Sequence, residues 1–216
     1  MKNICEWISL KFVKSQYLIV LLCVLLANVA FGSIVVPEAA AQVVGQSTET
    51  MPKGKKSIAF SSLPVTLEQF TALPHAELQS PYETAAMFVV ALNLYTQNKD
   101  ESIAMMNFLK GPDSLTQREL GLFKTQMTDY LARSYFAGAT PQNDYTPSQP
   151  YTVVISDNPY SYANQGFAKL FVHCGGADSP RPIEMRLAKN GRWYLTGFGS
   201  SLLVGIRKPE STNPWR

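Results

Sequence analysis

Histidine and cysteine are the residues best suited to nucleophilic or metal chemistry, and this sequence is poor in both. Its 216 residues include 2 histidines and 3 cysteines, and one of each is adjacent, His173 and Cys174. A cysteine activated by a histidine is a common nucleophile. Here the pair lies in a predicted strand, where adjacent side chains point to opposite faces, so the two cannot form a dyad. His75 is distant in sequence, and this set lacks the spacing of a metal site. We therefore predict no metal site and interpret Cys174 as a small core residue.

Acidic residues suggest a second chemistry, glycoside hydrolysis by two carboxylates. Glu184 with Asp178 or Asp144 could form such a pair, but a chain with 16 acidic residues offers many such combinations. The glycine-rich segment 175–179 could present backbone N–H groups to an anion beside Arg181. It lacks the Lys-Ser/Thr ending of a phosphate loop, so a plain turn is the competing interpretation. The sequence therefore assigns no catalytic residue.

Tyrosine is the residue type whose distribution points to binding. Six tyrosines fall in one segment, interleaved with Pro, Asn and Asp: Tyr130, Tyr135, Tyr145, Tyr151, Tyr160 and Tyr162. Exposed aromatic rings on proline-rich loops can stack on sugars or on partner side chains. We expect a binding surface that includes Tyr145, Tyr160 and Tyr162. The alternative is that the early tyrosines complete a helix and the others fix loops to a sheet.

Asn190-Gly191 predicts a β-hairpin over residues 181–198, because this dipeptide tolerates the positive φ angles of a type I′ turn. A two-residue loop sets the register, and opposed residues share a face. The expected core face contains Ile183, Met185, Leu187, Tyr194, Thr196 and Phe198. Trp193 and Arg186 fall on the other face. There we expect either a ligand-binding surface or a half-solvated surface on which the indole covers charged side chains.

Three helices are predicted before the hairpin. Ser80 and Glu83 form a capping box for the first, and its expected buried stripe is Ala85, Phe88, Val89, Leu92 and Tyr95. Asn98 begins a second helix that stops at Gly111-Pro112. The third begins at Thr116 and is expected to run to about Tyr135.

Strands follow the helices. After the proline-rich loop 138–150 the hydrophobic period changes to two. We predict strands at 151–156 and 167–174, the two strands of the hairpin, and a last strand at 201–206. In the second of these strands, Phe167 and Lys169 share one face with Phe171 and His173.

This order of elements predicts the α+β class, with three N-terminal helices packed on a curved antiparallel sheet of four to five strands. The same order occurs in the cone-shaped fold of the nuclear-transport-factor-like superfamily, which is an analogy of fold alone. Charge excludes one function class. The net charge is +3, and the basic residues are dispersed, so we expect no nucleic-acid partner.

The pattern of the N-terminal residues is typical of an export signal. A basic start is followed by the apolar segment 17–30 and by the small residues Ala39–Ala41, which predicts a signal peptide over 1–41 cleaved after Ala41. The alternative is an uncleaved membrane anchor at 17–36, which is long enough to span a bilayer. Two of the three cysteines lie in this leader, so the body has no internal disulfide. We interpret 42–62 as a flexible linker, 63–209 as one domain and 210–216 as a tail.

Several short motifs resemble one uncharacterised family of exported bacterial proteins, a domain of unknown function. They are SPYE at 80–83, LKGP at 109–112, SYFAGATP at 134–141, NDYTP at 143–147, GGADSPR at 175–181 and GIRKP at 205–209. The resemblance covers about residues 63–215. It implies a single exported domain and no particular activity.

Together these features predict an exported cell-envelope protein that is a non-catalytic binding module without a cofactor. Its expected binding residues are Trp193, Arg186, Tyr145, Tyr160 and Tyr162, and its partner is an envelope component or another protein. An uncleaved N-terminal segment would add a membrane contact. The alternative is a small envelope hydrolase with a pocket in the curved sheet, using Asp178, Glu184 or His173.

Overall fold

The sheet is antiparallel and curled into a half-barrel. The computed structural model describes residues 54–197 and 199–215. Its five strands are neighbours in chain order. They are β1 (Lys55–Phe60), β2 (Tyr151–Ser156), β3 (Phe167–Val172), β4 (Arg181–Leu187) and β5 (Trp193–Leu195). The predicted curved antiparallel sheet is therefore confirmed.

Within the described residues four helices accompany the sheet, one more than the three predicted: α1 (Leu67–Thr71), α2 (Pro81–Leu94), α3 (Lys99–Lys110) and α4 (Gln117–Gln126). Helix α2 packs against all five strands and fills the concave side of the half-barrel. Nearly all of its side chains are buried, because α3 packs on it as well. The single buried stripe predicted for this helix is therefore too narrow. A helix that is apolar all round is typical of a protein interior.

The predicted helix starts are confirmed. Ser80 accepts a hydrogen bond from the Tyr82 N–H at 3.4 Å, and the Glu83 carboxylate accepts one from the Ser80 N–H at 3.1 Å. Thr116 opens α4 in the same way, and the Asn98 side chain caps α3. Capping side chains accept hydrogen bonds from N–H groups that have no partner within the helix. Because these bonds join residues that are close in sequence, the start of a helix can be predicted from the sequence.

The end of α4 and the last predicted strand differ from expectation. Helix α4 ends at Gln126 because Met127 is extended, with φ −69° and ψ 129°, and only a short 3-10 turn, Arg133–Tyr135, follows. Residues 201–206 do not form a strand. The chain turns at Ser200–Leu203, where the neighbours Leu202 and Leu203 are both buried. Alternating strand faces would leave one of them outside.

The segment Lys55–Phe60, interpreted above as part of a linker, is strand β1. It pairs along its whole length with β2, and Ile58 and Phe60 point into the core. The leader and residues 42–53 of the predicted linker lie outside the described residues. No helix of the described part is long and apolar enough to cross a membrane.

The hairpin between β4 and β5 has a different loop from the one predicted. The Ala188 N–H donates to the Arg192 carbonyl at 2.9 Å, so the loop has three residues and ends at Gly191, whose φ is 79°. Leu187 therefore opposes Trp193, not Tyr194. A shift of one residue reverses the faces of a strand. Trp193 is accordingly buried. The core face that was predicted for β5 is therefore wrong.

A buried ion pair joins α3 to α4. The Lys110 ammonium lies 2.9 Å from the Glu119 carboxylate, and only 8% and 11% of the two side chains are exposed. The other carboxylate oxygen accepts the Thr116 N–H at 2.6 Å. Burial alone would raise the pKa of Glu119. The hydrogen bonds from Thr116 and Lys110 outweigh it, so the pKa is lowered and the carboxylate stays charged.

Candidate functional site

The outer face of β3 and β4 carries a group of exposed side chains that the sheet register brings together. Phe167 lies opposite Arg186, and Lys169 lies opposite Glu184. Side chains of opposed residues share a face. Alternate residues of both strands are buried, so these four point outward. With Tyr160 of the preceding loop they form what we call the outer platform: Tyr160, Phe167, Lys169, Glu184 and Arg186.

The charges of the outer platform are already engaged with their neighbours. The Lys169 ammonium lies 3.2 Å from the Glu184 carboxylate, with 52% and 56% of the side chains exposed. The Arg186 guanidinium lies 5.5 Å from the centre of the Phe167 ring, a cation–π contact. Surface pairs of this kind contribute little to stability. Their effect is to hold an aromatic ring and a donor–acceptor pair side by side at the surface.

Tyr160 is exposed on a loop that is held by hydrogen bonds. Its side chain is 80% exposed. The Asn158 side chain accepts the Tyr160 N–H at 2.9 Å, and the Ser161 hydroxyl accepts the Asn158 N–H at 2.9 Å. The Lys169 N–H donates to the Ser161 carbonyl at 2.8 Å, which attaches the loop to β3. The ring is therefore presented to solvent by a backbone that is already ordered.

Two shallow cavities meet on the outer platform. One, of about 230 Å³, lies between the Tyr160 loop and β3, and the other, of about 210 Å³, lies between β4 and the Ser201 turn. Lys169 and Glu184 line both of them. The result is a groove with aromatic and polar walls.

Two of the predicted binding residues are not at the surface. Trp193 is 8% exposed, and its carbonyl accepts the Thr84 hydroxyl of α2 at 2.7 Å. Tyr145 is fully buried, and its hydroxyl donates to the Arg207 carbonyl at 2.7 Å. Burial raises the pKa of Tyr145 to about 12. The expectation of exposed rings is wrong for both residues, because Trp193 belongs to the hydrophobic core and the Tyr145 ring stacks on Tyr130.

Tyr162 occupies an intermediate position. It is half-buried against the core, where burial raises its pKa and its hydroxyl interacts with Tyr82. The structure therefore brings Arg186 and Tyr160 together and places Trp193, Tyr145 and Tyr162 elsewhere.

Phe167, Lys169 and Glu184 were not among the predicted binding residues. The signal was present in β3, where the alternating pattern already put Phe167 and Lys169 on one face. The correct register with β4 was the missing information.

The residues considered for catalysis have separate partners. Asp178 pairs with Arg207, Glu184 with Lys169, and Asp144 accepts the Ser211 hydroxyl. The His173 ring lies 3.0 Å from the Ser156 hydroxyl. Burial, and then the charge of Lys55, lower the pKa of this histidine. Cys174 contacts Ser134 at 3.2 Å instead. The pocket expected in the curved sheet for a hydrolase is filled by α2.

The glycine-rich turn after β3 packs tightly, and its two glycine N–H groups are already bonded within the protein. The Gly175 N–H donates to the Ser134 carbonyl at 2.9 Å, and the Gly176 N–H donates to the Cys174 sulfur at 3.3 Å. A Cβ atom on Gly175 would lie 1.9 Å from the Ala139 carbonyl oxygen. Glycine is therefore required here by close backbone approach.

The described residues contain no group of three or more His, Cys, Asp or Glu side chains that could hold a metal ion.

Comparison with known proteins adds one finding. The family model described as Domain of unknown function (DUF6935) matches residues 62–210. This confirms the resemblance to a domain of unknown function, with nearly the bounds expected. Comparison with curated proteins and with solved structures gives no match.

Proposed function

The chain belongs to this domain family of unknown function, and we propose that it is a non-catalytic binding module. In this proposal the chain is exported and holds an envelope component on the outer platform. The export signal at 1–41 supports the location, whether the leader is cleaved or remains as an anchor at 17–36. The platform supports the binding role.

The single observation that carries the proposal is the exposure of Tyr160. An exposed aromatic ring does not gain the hydrophobic stabilisation that burial would give. The Tyr160 ring therefore does not contribute to the packing of the core. Its loop is ordered by Asn158 and Ser161, so a ligand meets the ring without the entropy loss of ordering a mobile loop. Phe167, which lines the same cavity, adds exposed apolar area beside it. Clustered exposed apolar side chains mark interaction sites more often than scattered ones do.

The test is co-sedimentation of the full chain, purified in mild detergent, with purified bacterial cell walls. The unchanged protein, Tyr160→Ala and Trp215→Ala are compared. Trp215 is the matched control, since its side chain is 90% exposed and it does not line the platform cavities. We expect the unchanged protein and Trp215→Ala to sediment with the walls and Tyr160→Ala to stay in the supernatant. Equal sedimentation of all three, or of none, contradicts the proposal.

A further inference from the structure

We infer that the ligand of the outer platform is a linear glycan of acetamido sugars that spans the two cavities. This inference rests on the proposed function and specifies its ligand. Three features of the platform lead to it: the aromatic wall, the donor–acceptor pair and the two adjoining cavities.

The aromatic wall suits a sugar ring. Tyr160 and Phe167 line the same cavity. The flat face of an aromatic ring is electron-rich and apolar, which complements the C–H face of a pyranose. The edges of that pyranose carry hydroxyl groups, and they meet the exposed amide side chain of Asn164 in the same cavity. A purely aliphatic ligand would cover the Asn164 amide without giving it a partner.

The donor–acceptor pair suits an amide without net charge. The Lys169 ammonium is a donor and the Glu184 carboxylate an acceptor, and they lie 3.2 Å apart. An acetamido group presents the complement, a carbonyl oxygen and an N–H. Because the two charges compensate each other, the pair gives no advantage to a polyanion or a polycation. The pair thus favours a neutral, amide-bearing group between the two cavities, and Arg186, which lies over the Phe167 ring, lines neither of them.

The two cavities set the minimum length. They have about 230 and 210 Å³ and share Lys169 and Glu184 along their common border. Each has the size of one pyranose ring, so a ligand that uses both contains at least two linked sugars. The ion pair then lies at the linkage, where it can reach the acetamido group of either ring.

The experiment is isothermal titration of the full chain with tetra-N-acetylchitotetraose. The variants are Tyr160→Ala, Tyr160→Phe and the control Trp215→Ala. We expect binding that Tyr160→Ala weakens about tenfold, the order expected for loss of an aromatic contact. Tyr160→Phe keeps the ring and is expected to keep most of the affinity. Cellotetraose, which lacks the acetamido groups, is expected to bind at least tenfold more weakly.

The outcomes separate the ligand from the function. Equal binding of cellotetraose overturns the acetamido assignment. Absence of tetrasaccharide binding, while wall sedimentation still depends on Tyr160, overturns the glycan and leaves a protein or peptide partner for the same platform. Wall sedimentation that is independent of Tyr160 contradicts the proposed function as well.

Discussion

The ion pair between Lys110 and Glu119 allows a quantitative test of how α3 and α4 are joined. The proposed change is Lys110→Met, which leaves an unbranched side chain one atom shorter and removes its charge. Glu119 then keeps its bond from the Thr116 N–H but loses the ammonium at 2.9 Å. Because its side chain is only 11% exposed, water cannot fully replace that partner.

The expected loss is about 3 kcal/mol in the free energy of unfolding, the lower end for a buried charge left without its partner. For a domain of this size, that corresponds to a fall in Tm of about 6–12 °C. Urea unfolding at pH 7 measures the first quantity and calorimetry the second. The double variant Lys110→Met/Glu119→Gln is the control. It removes the unpaired charge and is expected to recover part of the loss.

The pH dependence follows from the lowered pKa of Glu119. A carboxylate whose pKa is lower in the folded state stabilises the fold above its unfolded pKa, and this contribution is lost as the pH falls through the folded pKa. Lys110→Met removes one cause of the lowering. The difference between variant and unchanged protein is therefore expected to shrink in acid. A loss below about 1 kcal/mol at pH 7, as for a surface pair, would refute the reasoning.

Three further predictions concern the core, a turn and the leader. Trp193→Ala is expected to lower the free energy of unfolding by about 3–5 kcal/mol, as measured in urea, and unchanged stability would contradict its burial. Gly175→Ala is expected to destabilise the fold because of the Ala139 carbonyl. Gly121→Ala, in open space on α4, is expected to raise Tm through about 0.5–1 kcal/mol of helix propensity; the reverse order of Tm would contradict both. N-terminal sequencing of exported protein is expected to begin at Gln42, and an intact leader in the membrane fraction would favour the anchor instead.

The parts of the fold that the sequence predicted well are those set by local chemistry. The capping residues Ser80, Asn98 and Thr116 form hydrogen bonds within a few positions of themselves, so their meaning does not depend on the rest of the chain. The alternation in Phe167–Val172 likewise reports which side of one strand is covered. Such signals suffice for the fold class and for the starts of the three capped helices, whereas β1, which precedes these helices, was not predicted.

Long-range pairing was less accessible. Asn190-Gly191 marks the turn correctly, but a three-residue loop ending in a positive-φ glycine uses the same dipeptide as a two-residue loop. The one-residue difference moved Trp193 from the surface to the core. Strand Lys55–Phe60 was missed because only Ile58 and Phe60 point inward, and its pairing partner lies about ninety residues away in sequence.

Only part of the candidate site could be predicted from the sequence, because the site also depends on long-range pairing. Tyr160 and Arg186 carried recognisable signals, an aromatic residue in a polar loop and a charged outward position. Tyr145 carried the same signal as Tyr160 and yet is buried, because its ring stacks on Tyr130 at 5.6 Å. Composition cannot distinguish a buried tyrosine that attaches a loop to the core from an exposed tyrosine that projects from a loop into solvent.

The most direct test of the central claim is oxidative footprinting of the unchanged full chain, alone and bound to purified cell walls. Hydroxyl-radical labelling read by mass spectrometry reports the solvent access of each aromatic ring. We expect Tyr160 and Phe167 to become protected on binding, while Trp215 is labelled as before. Wall-bound protein in which Tyr160 is labelled as strongly as in the free protein would contradict the assignment of the outer platform as the binding surface.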